Sequence, residues 1–182
     1  MIKRILCALI VISAMLLPVQ AEDHVKKHVI DLKTEAAIGN MSGVISLHGS
    51  IYMAGQPDRA TLALLKDSGF EVVINIRHQD ELNFDEPSLV TGLSYYNIPL
   101  LKDGKIQDAA VVDIHKALTD NKGKKILLHC SSGNRVAGWL GAHLGRDMGY
   151  TTDKAVALAK QAGMTKDSME KILRNYLDHL VK

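Results

Sequence analysis

Cysteine is nearly missing from this 182-residue chain, which has only Cys7 and Cys130. Cys7 lies in an N-terminal segment that reads as removable, so Cys130 stands alone in the remainder and no internal disulfide is open to it. An unpaired thiol in an oxidising compartment is a liability unless it is used or well buried. A charge excess is missing as well. The 22 basic residues face 20 acidic ones, and Lys3 and Arg4 account for the difference. The formally neutral remainder gives no support for binding nucleic acid or an anionic membrane surface. No apolar run is long enough to span a bilayer comfortably: Ile5 to Leu17 is 13 residues, where about 20 are needed. Internal repeats, low-complexity linkers and a second-domain boundary are also absent. His24 and His28 are spaced i and i+4 but have no third ligand near them, so neither a metal nor another cofactor is expected.

What is present begins with Lys3 and Arg4, the apolar run to Leu17, and the small-residue site Val19-Gln20-Ala21. This is the pattern of a secretory signal peptide cut before Glu22. Cys7 lies too early to be a lipoprotein attachment site. The protein is therefore expected to be periplasmic or secreted, with no stable membrane insertion after cleavage. Removing residues 1–21 leaves 161 of the 182, enough for one domain with a real core. The expected division is a signal peptide over 1–21, a flexible lead-in over 22–42 and one domain over 43–182.

The domain is organised around Lys125-Ile126-Leu127-Leu128-His129-Cys130-Ser131-Ser132-Gly133-Asn134-Arg135-Val136. A short apolar run reads as a buried strand, small residues follow, and helical apolar spacing starts at Val136. Strand, tight loop and helix N-terminus make an anion site, because several backbone N–H groups converge there with the positive end of the helix dipole. A free thiol titrates near about 8.5, and such a site beside a cation brings it to roughly 3.5–7.5. Cys130 is thus expected to be an ionised sulfur facing solvent across inward-pointing peptide N–H groups. Ser131, Ser132, Gly133 and Asn134 form the anion-binding loop. Gly133 turns without Cβ conflict and Asn134 tolerates a left-handed backbone. Arg135 offers an oxyanion two parallel donors. An inert buried thiol is the bland alternative, and it leaves Cys-x-x-Gly-x-Arg unexplained.

Around this loop the pattern predicts strands over Val44–Ser46, Ser50–Met53, Glu71–Ile76 and Ser94–Pro99. Helices are predicted from Pro57 to Ser68, Gln107 to Asp120, Arg135 to Gly149, Thr152 to Gly163 and Lys166 to Leu180. The fold class is α/β: a single domain with a central, mostly parallel sheet of about five strands flanked by helices. Arg77 ends a strand, and it either approaches the pocket or salt-bridges the acidic stretch that follows. That stretch, His78 to Glu86, holds four carboxylates and reads as a solvated loop. Gly138, Gly141 and Gly145 make a small-residue stripe suited to close helix contact. His143 reads as a packed helix residue.

His129-Cys130-x-x-Gly-x-Arg135 resembles the active-site loop of cysteine-dependent protein phosphatases. The order of Glu71–Arg77, Tyr96–Leu100 and the loop is similar to that of dual-specificity phosphatases. Taken with Tyr52-Met53-Ala54-Gly55-Gln56-Pro57, the chain from Gly43 onward resembles exported bacterial phosphatase-like proteins, relatives of the phosphatase-like domain of beta-lactamase-hydrolase-like proteins. The resemblance implies that Cys130 attacks a phosphate monoester, that Arg135 and the loop amides hold its oxygens, and that His129 braces the loop. It also implies a general acid after the strand ending at Pro99. Asp103 is the match and Asp108 the substitute, although Asp103-Gly104 equally reads as a plain turn. The partner would be a small anionic substrate or a phosphorylated molecule.

Two departures point elsewhere. Arg135 follows Cys130 by five residues where tyrosine phosphatases have six, a spacing similar to that of rhodaneses. Val136 stands where the phosphatase pattern has a hydroxyl. A rhodanese-type sulfurtransferase with a persulfide on Cys130, and a non-catalytic anion-binding domain, are the alternatives.

Overall fold

A computed structural model of the chain describes residues 29–180. The signal-peptide and cleavage assignments, and His24 and His28, lie outside the described residues. In chain order the elements are β1 (Leu32–Thr34), β2 (Ile45–Leu47), β3 (Ile51–Ala54), α1 (Arg59–Leu64), β4 (Val72–Asn75), a 3-10 turn (Gln79–Glu81) and α2 (Glu86–Leu89). There follow β5 (Ser94–Asn97), β6 (Leu101–Lys102), β7 (Lys105–Ile106), α3 (Asp108–Asp120), β8 (Ile126–His129), α4 (Asn134–Met148), α5 (Thr152–Gln161) and α6 (Asp167–Leu180).

Six strands form one sheet in the order β1-β2-β3-β8-β4-β5, and β6 and β7 form a separate hairpin. The strands β3, β8, β4 and β5 run parallel, while β1 and β2 add on antiparallel. The single α/β domain is as expected, with one strand more in the main sheet than the pattern indicated. That strand corrects the lead-in. Leu32–Thr34 is not a free tail but pairs with Ile45–Leu47, because an edge strand exposes unpaired N–H and C=O groups that a neighbouring extended segment satisfies.

The period of two along the central strands builds two cores. Val72, Ile74, Ile126 and Leu128 face the layer of α3 to α6, whereas Val73 and Leu127 face Leu62, Leu65 and Phe70 on the α1 side. Covered on both faces, β4 and β8 are buried throughout, which is why they read as continuous apolar runs. On α1 the apolar face is Leu62 and Leu65, while Leu64 is exposed.

The Gly stripe on α4 lets α6 approach closely. A Cβ built on Gly138, Gly141 or Gly145 would lie 2.6, 2.6 and 2.3 Å from atoms of Met169, Leu173 and Leu177. Those three are buried at i, i+4 and i+8 on α6, so one apolar ridge fills one glycine groove. α4 ends at Gly149, where a left-handed φ of 67° closes the helix. This packing fixes the helix whose first turn carries Arg135.

Candidate active site

The strand registers decide where the cysteine loop begins. Ala54 of β3, His129 of β8 and Asn75 of β4 lie side by side, so Cys130 emerges at the carboxyl edge of the sheet, where α/β proteins place ligands. Neighbouring strands hold the loop from both sides. The Ile76 N–H donates to the His129 carbonyl at 3.1 Å, the Cys130 N–H to Ala54 at 3.3 Å, and the Gln56 N–H to Ser131 at 3.1 Å. A peptide carries its C=O and N–H on opposite sides. Turning the Ser131 carbonyl toward β3 therefore turns the Ser132 N–H away from it. The N–H groups of Ser131 and Ser132 donate to no acceptor among the described residues.

Glycine is favoured at two points. A Cβ on Gly55 would sit 3.3 Å from the Ser131 carbonyl oxygen and 3.4 Å from the Ser132 Cα. Gly133 has φ 80° at the cap of α4, a conformation that most residues resist. Asn134 is buried and anchors the loop to the start of α6. Its Oδ1 accepts the Thr165 and Lys166 N–H groups, both at 2.8 Å, and its Nδ2 donates to Thr165 Oγ1 and Ser132 Oγ, both at 3.4 Å.

Cys130 itself differs from expectation. It is 1% exposed and packs with the α4-side core instead of facing solvent. The reason is parity: Cys130 continues the Ile126, Leu128 side of the strand, so its side chain lies below the loop that rises over it. Arg135 is near enough to interact with it. The guanidinium is held charged, first by the Glu81 carboxylate and then, against the cost of burial, by the charge and hydrogen-bonding of Cys130.

Arg135 binds Glu81 through both terminal nitrogens, Nη1 to Oε1 at 2.7 Å and Nη2 to Oε2 at 2.6 Å. That pair holds the Glu81 carboxyl down to about 2, with the Arg135 hydrogen bonds the largest cause. A carboxylate this acidic cannot serve as a general acid near neutral pH. Arg77 joins the same group. Its Nε lies 3.4 Å from Glu81 Oε2, its Nη2 donates to the Glu81 carbonyl at 2.6 Å, and its Nη1 donates to Gln56. Both readings of Arg77 hold together: it pairs with the acidic stretch, and it does so beside the loop.

The acidic stretch is exposed as expected at Asp80, Glu81 and Asp85, and departs from expectation at Glu86. Glu86 has no exposure at all. Its Oε2 accepts from Asn75 Nδ2 at 2.7 Å and from the Tyr95 hydroxyl at 2.8 Å, and its Oε1 accepts from Gln56 Nε2. Burial works against the Glu86 charge, yet His129, Gln56 and Tyr95 outweigh it and lower its carboxyl to about 2. His129 is fully buried, its ring nitrogens lack hydrogen-bond partners among the described residues, and Nε2 lies 3.5 Å from Glu86 Oε2. Glu81, Glu86 and Gln56 went unrecognised in the sequence. One signal was there: Asn75 is an amide inside an otherwise apolar strand.

The expected general acids separate. Asp103 and Gly104, with φ of 50° and 70°, are the two central residues of the β6–β7 hairpin, a turn for which Asp-Gly is suited. The Asp103 carboxylate is exposed and has no partner among the described residues. The hairpin nevertheless borders the loop, since Leu101 lines a cleft with Ser132, Arg135 and Lys166. Asp108 is excluded as the substitute. It is held by Arg146 at 2.6 Å and Tyr176 at 2.7 Å, and Arg146 stands about 16 Å along α4 from Arg135 at 1.5 Å per residue. His143 packs between Trp139 and His115. Among the described residues no three metal-ligating side chains converge, and no helix is long and apolar enough to cross a membrane.

No family model and no curated protein matches the sequence. The fold does have solved counterparts. A DUF442 protein of Shewanella putrefaciens CN-32, named as a candidate phosphatase, is 20% identical over 84% of this chain and 89% of its own, with a TM-score of 0.57. P. aeruginosa TpbA, in a Cys-to-Ser form complexed with pTyr, is 15% identical over 85% of this chain and 95% of its own, with a TM-score of 0.62. Tk-PTP in its active form is 17% identical over 71% of this chain and 92% of its own, with a TM-score of 0.58. At these identities the likeness is one of fold alone.

Proposed function

We propose that this protein is a cysteine-dependent phosphatase acting on a phosphate monoester. One observation carries the reading: Cys130 at the end of β8 and Arg135 in the first turn of α4 flank one tight loop, and Glu81 grips both terminal nitrogens of that arginine. In the reaction, the Cys130 thiolate attacks phosphorus and an S–P bond forms as the ester P–O bond breaks. The leaving oxygen takes a proton, for which Asp103 is the candidate donor. Water then attacks phosphorus, the S–P bond breaks, and phosphate leaves with the thiolate restored. Arg135 and the Ser131 and Ser132 amides would hold the three outer oxygens, where charge is greatest in the transition state. His129 backs the strand end before the loop from the opposite face of the sheet.

Cys130 is 1% exposed and packs with the core, so the reading requires an anion on the loop to reach that sulfur, which the assay below tests. The fold shared with TpbA, solved with pTyr, supports a phosphorylated substrate. Export through residues 1–21 is part of the proposal, and sequencing the N-terminus of the secreted protein tests it, with Glu22 expected first.

The deciding assay offers the purified protein an aryl phosphate and, separately, thiosulfate with cyanide. Phosphate release that is lost in both Cys130→Ser and Arg135→Lys is the expected result. Thiocyanate production without phosphate release would replace this reading with sulfur transfer, and turnover of neither substrate with retained vanadate affinity would leave an anion binder.

A further inference from the structure

One carboxylate, Glu86, lies where the four parallel strands end. Gln56 follows β3, His129 closes β8, Asn75 closes β4 and Tyr95 belongs to β5, and each of the four reaches it. Three donate hydrogen bonds, and His129 Nε2 lies at an ion-pair distance of 3.5 Å. Glu86 never meets solvent and lies on the side of the sheet opposite Cys130, since His129 and Cys130 point to opposite faces. A buried charge without a partner is costly, so a group of this kind needs a reason to be there.

Its partners supply one. Gln56 turns the Ser131 carbonyl with its own N–H and accepts from Arg77 with its side chain. Asn75 Oδ1 accepts the Arg77 N–H at 2.9 Å, and Arg77 grips Glu81, which holds Arg135. His129, before the nucleophile, lies 3.5 Å from Glu86, and from Glu86 the hydrogen bonds run through Gln56, Arg77 and Glu81 to Arg135 after it. We propose that Glu86 is a positioning residue: from behind the sheet it sets the spacing of the strand ends that carry the cysteine loop, and it fixes the place of the His129 ring directly before Cys130. The inference deepens the phosphatase reading by naming a residue that controls the nucleophile without touching substrate.

The charged and titratable groups facing this assembly fix the expected sign. Glu86 and the Tyr95 hydroxyl lie on the His129 face, while Arg135, with Glu81 behind it, lies on the Cys130 face, and Arg77 lies at the edge. Removing Glu86 releases the Gln56 and Asn75 side chains and the His129 ring that it holds, so the loop amides and helix N-terminus that favour a thiolate lose their spacing. Direct repulsion between Glu86 and the thiolate would act in the opposite direction, so the experiment separates the two.

The measurement is the iodoacetamide alkylation rate of Cys130 across pH, which needs no phosphate turnover and so stays informative if the phosphatase reading fails. In folded Glu86→Gln, alkylation at pH 7 is expected to slow at least tenfold with its midpoint moved to higher pH, and vanadate affinity is expected to fall with it. In a His129→Gln background the same change is expected to add little. A wild-type alkylation profile, a more reactive thiol, or effects of the two substitutions that simply add would each overturn the proposal. Should Glu86→Gln fail to fold, Gln56→Met cuts the carboxylate from the loop, and it must slow alkylation and weaken vanadate binding or the proposal falls.

Discussion

The Glu81 carboxylate takes both terminal nitrogens of Arg135, at 2.7 and 2.6 Å, across 54 residues of chain. A guanidinium has five donors in a rigid plane, so this grip uses one edge and leaves another for Cys130 and an incoming anion. Glu81→Gln should loosen that plane. KM for an aryl phosphate is expected to rise about 10- to 100-fold, the scale of a charge-assisted hydrogen bond, with a smaller change in kcat. An unchanged KM would show that Arg135 holds its geometry without Glu81.

The same carboxylates set the acid limit of the fold. Glu81 and Glu86 titrate near 2 in the folded chain, against an ordinary value of 4.5. A carboxyl depressed by folding stabilises the protein above its ordinary pKa, and that contribution is lost as pH falls through the folded value. Urea midpoints should therefore decline between about pH 4.5 and 2, and less steeply in Glu86→Gln, where one of the two titrations is gone. Glu81 contributes less than its shift implies, since its side chain is 32% exposed.

Asp103 and Asp108 should behave as opposites. General-acid catalysis contributes about 10²- to 10⁴-fold, and it matters most for a poor leaving group. Asp103→Asn is expected to reduce turnover of an alkyl phosphate far more than that of p-nitrophenyl phosphate, and to remove the basic limb of the pH profile. Asp108→Asn should leave both rates intact while weakening only the contacts to Arg146 and Tyr176. Equal behaviour of the two variants would remove Asp103 from the mechanism.

Asn134 carries the join between the cysteine loop and α6. Asn134→Ala strands the Thr165 and Lys166 N–H groups, which it accepts at 2.8 Å. The two bonds are part-buried, so losing them costs about 0.5–1.5 kcal/mol each, readable as a lowered urea midpoint. Vanadate affinity should fall too, because Ser132 loses a neighbour that orders it.

The glycine groove predicts a contrast on α4. At Gly138 an added methyl meets the far end of Met169, a flexible chain, whereas at Gly141 it meets Leu173, Ala159 and the Ala155 carbonyl. Gly141→Ala should cost about 1–3 kcal/mol by overpacking. Gly138→Ala should be nearly neutral, since Met169 can move and alanine favours the helix. Thermal melts of the two variants check this.

Where the sequence was legible, a local rule sufficed. Alternation and apolar runs marked β3, β4 and β8, and the step from strand through Gly133 to helix spacing marked the loop with Cys130 and Arg135 in it, because such patterns depend on neighbours a few residues apart. β1 escaped, since three residues with little apolar character become a strand only when an edge is there to pair with.

The site divides in the same way. That Cys130 and Arg135 bracket one cradle was determined by the chain alone, because five residues across a strand–helix turn can hardly lie far apart. Only the tertiary structure decided that Cys130 is buried, that Glu81 grips Arg135, and that Glu86 is a buried charge and not part of a solvated run. Those outcomes depend on which strand ends meet at the edge of the sheet, and a one-dimensional charge pattern cannot distinguish a carboxylate bound for water from one that four strands will surround.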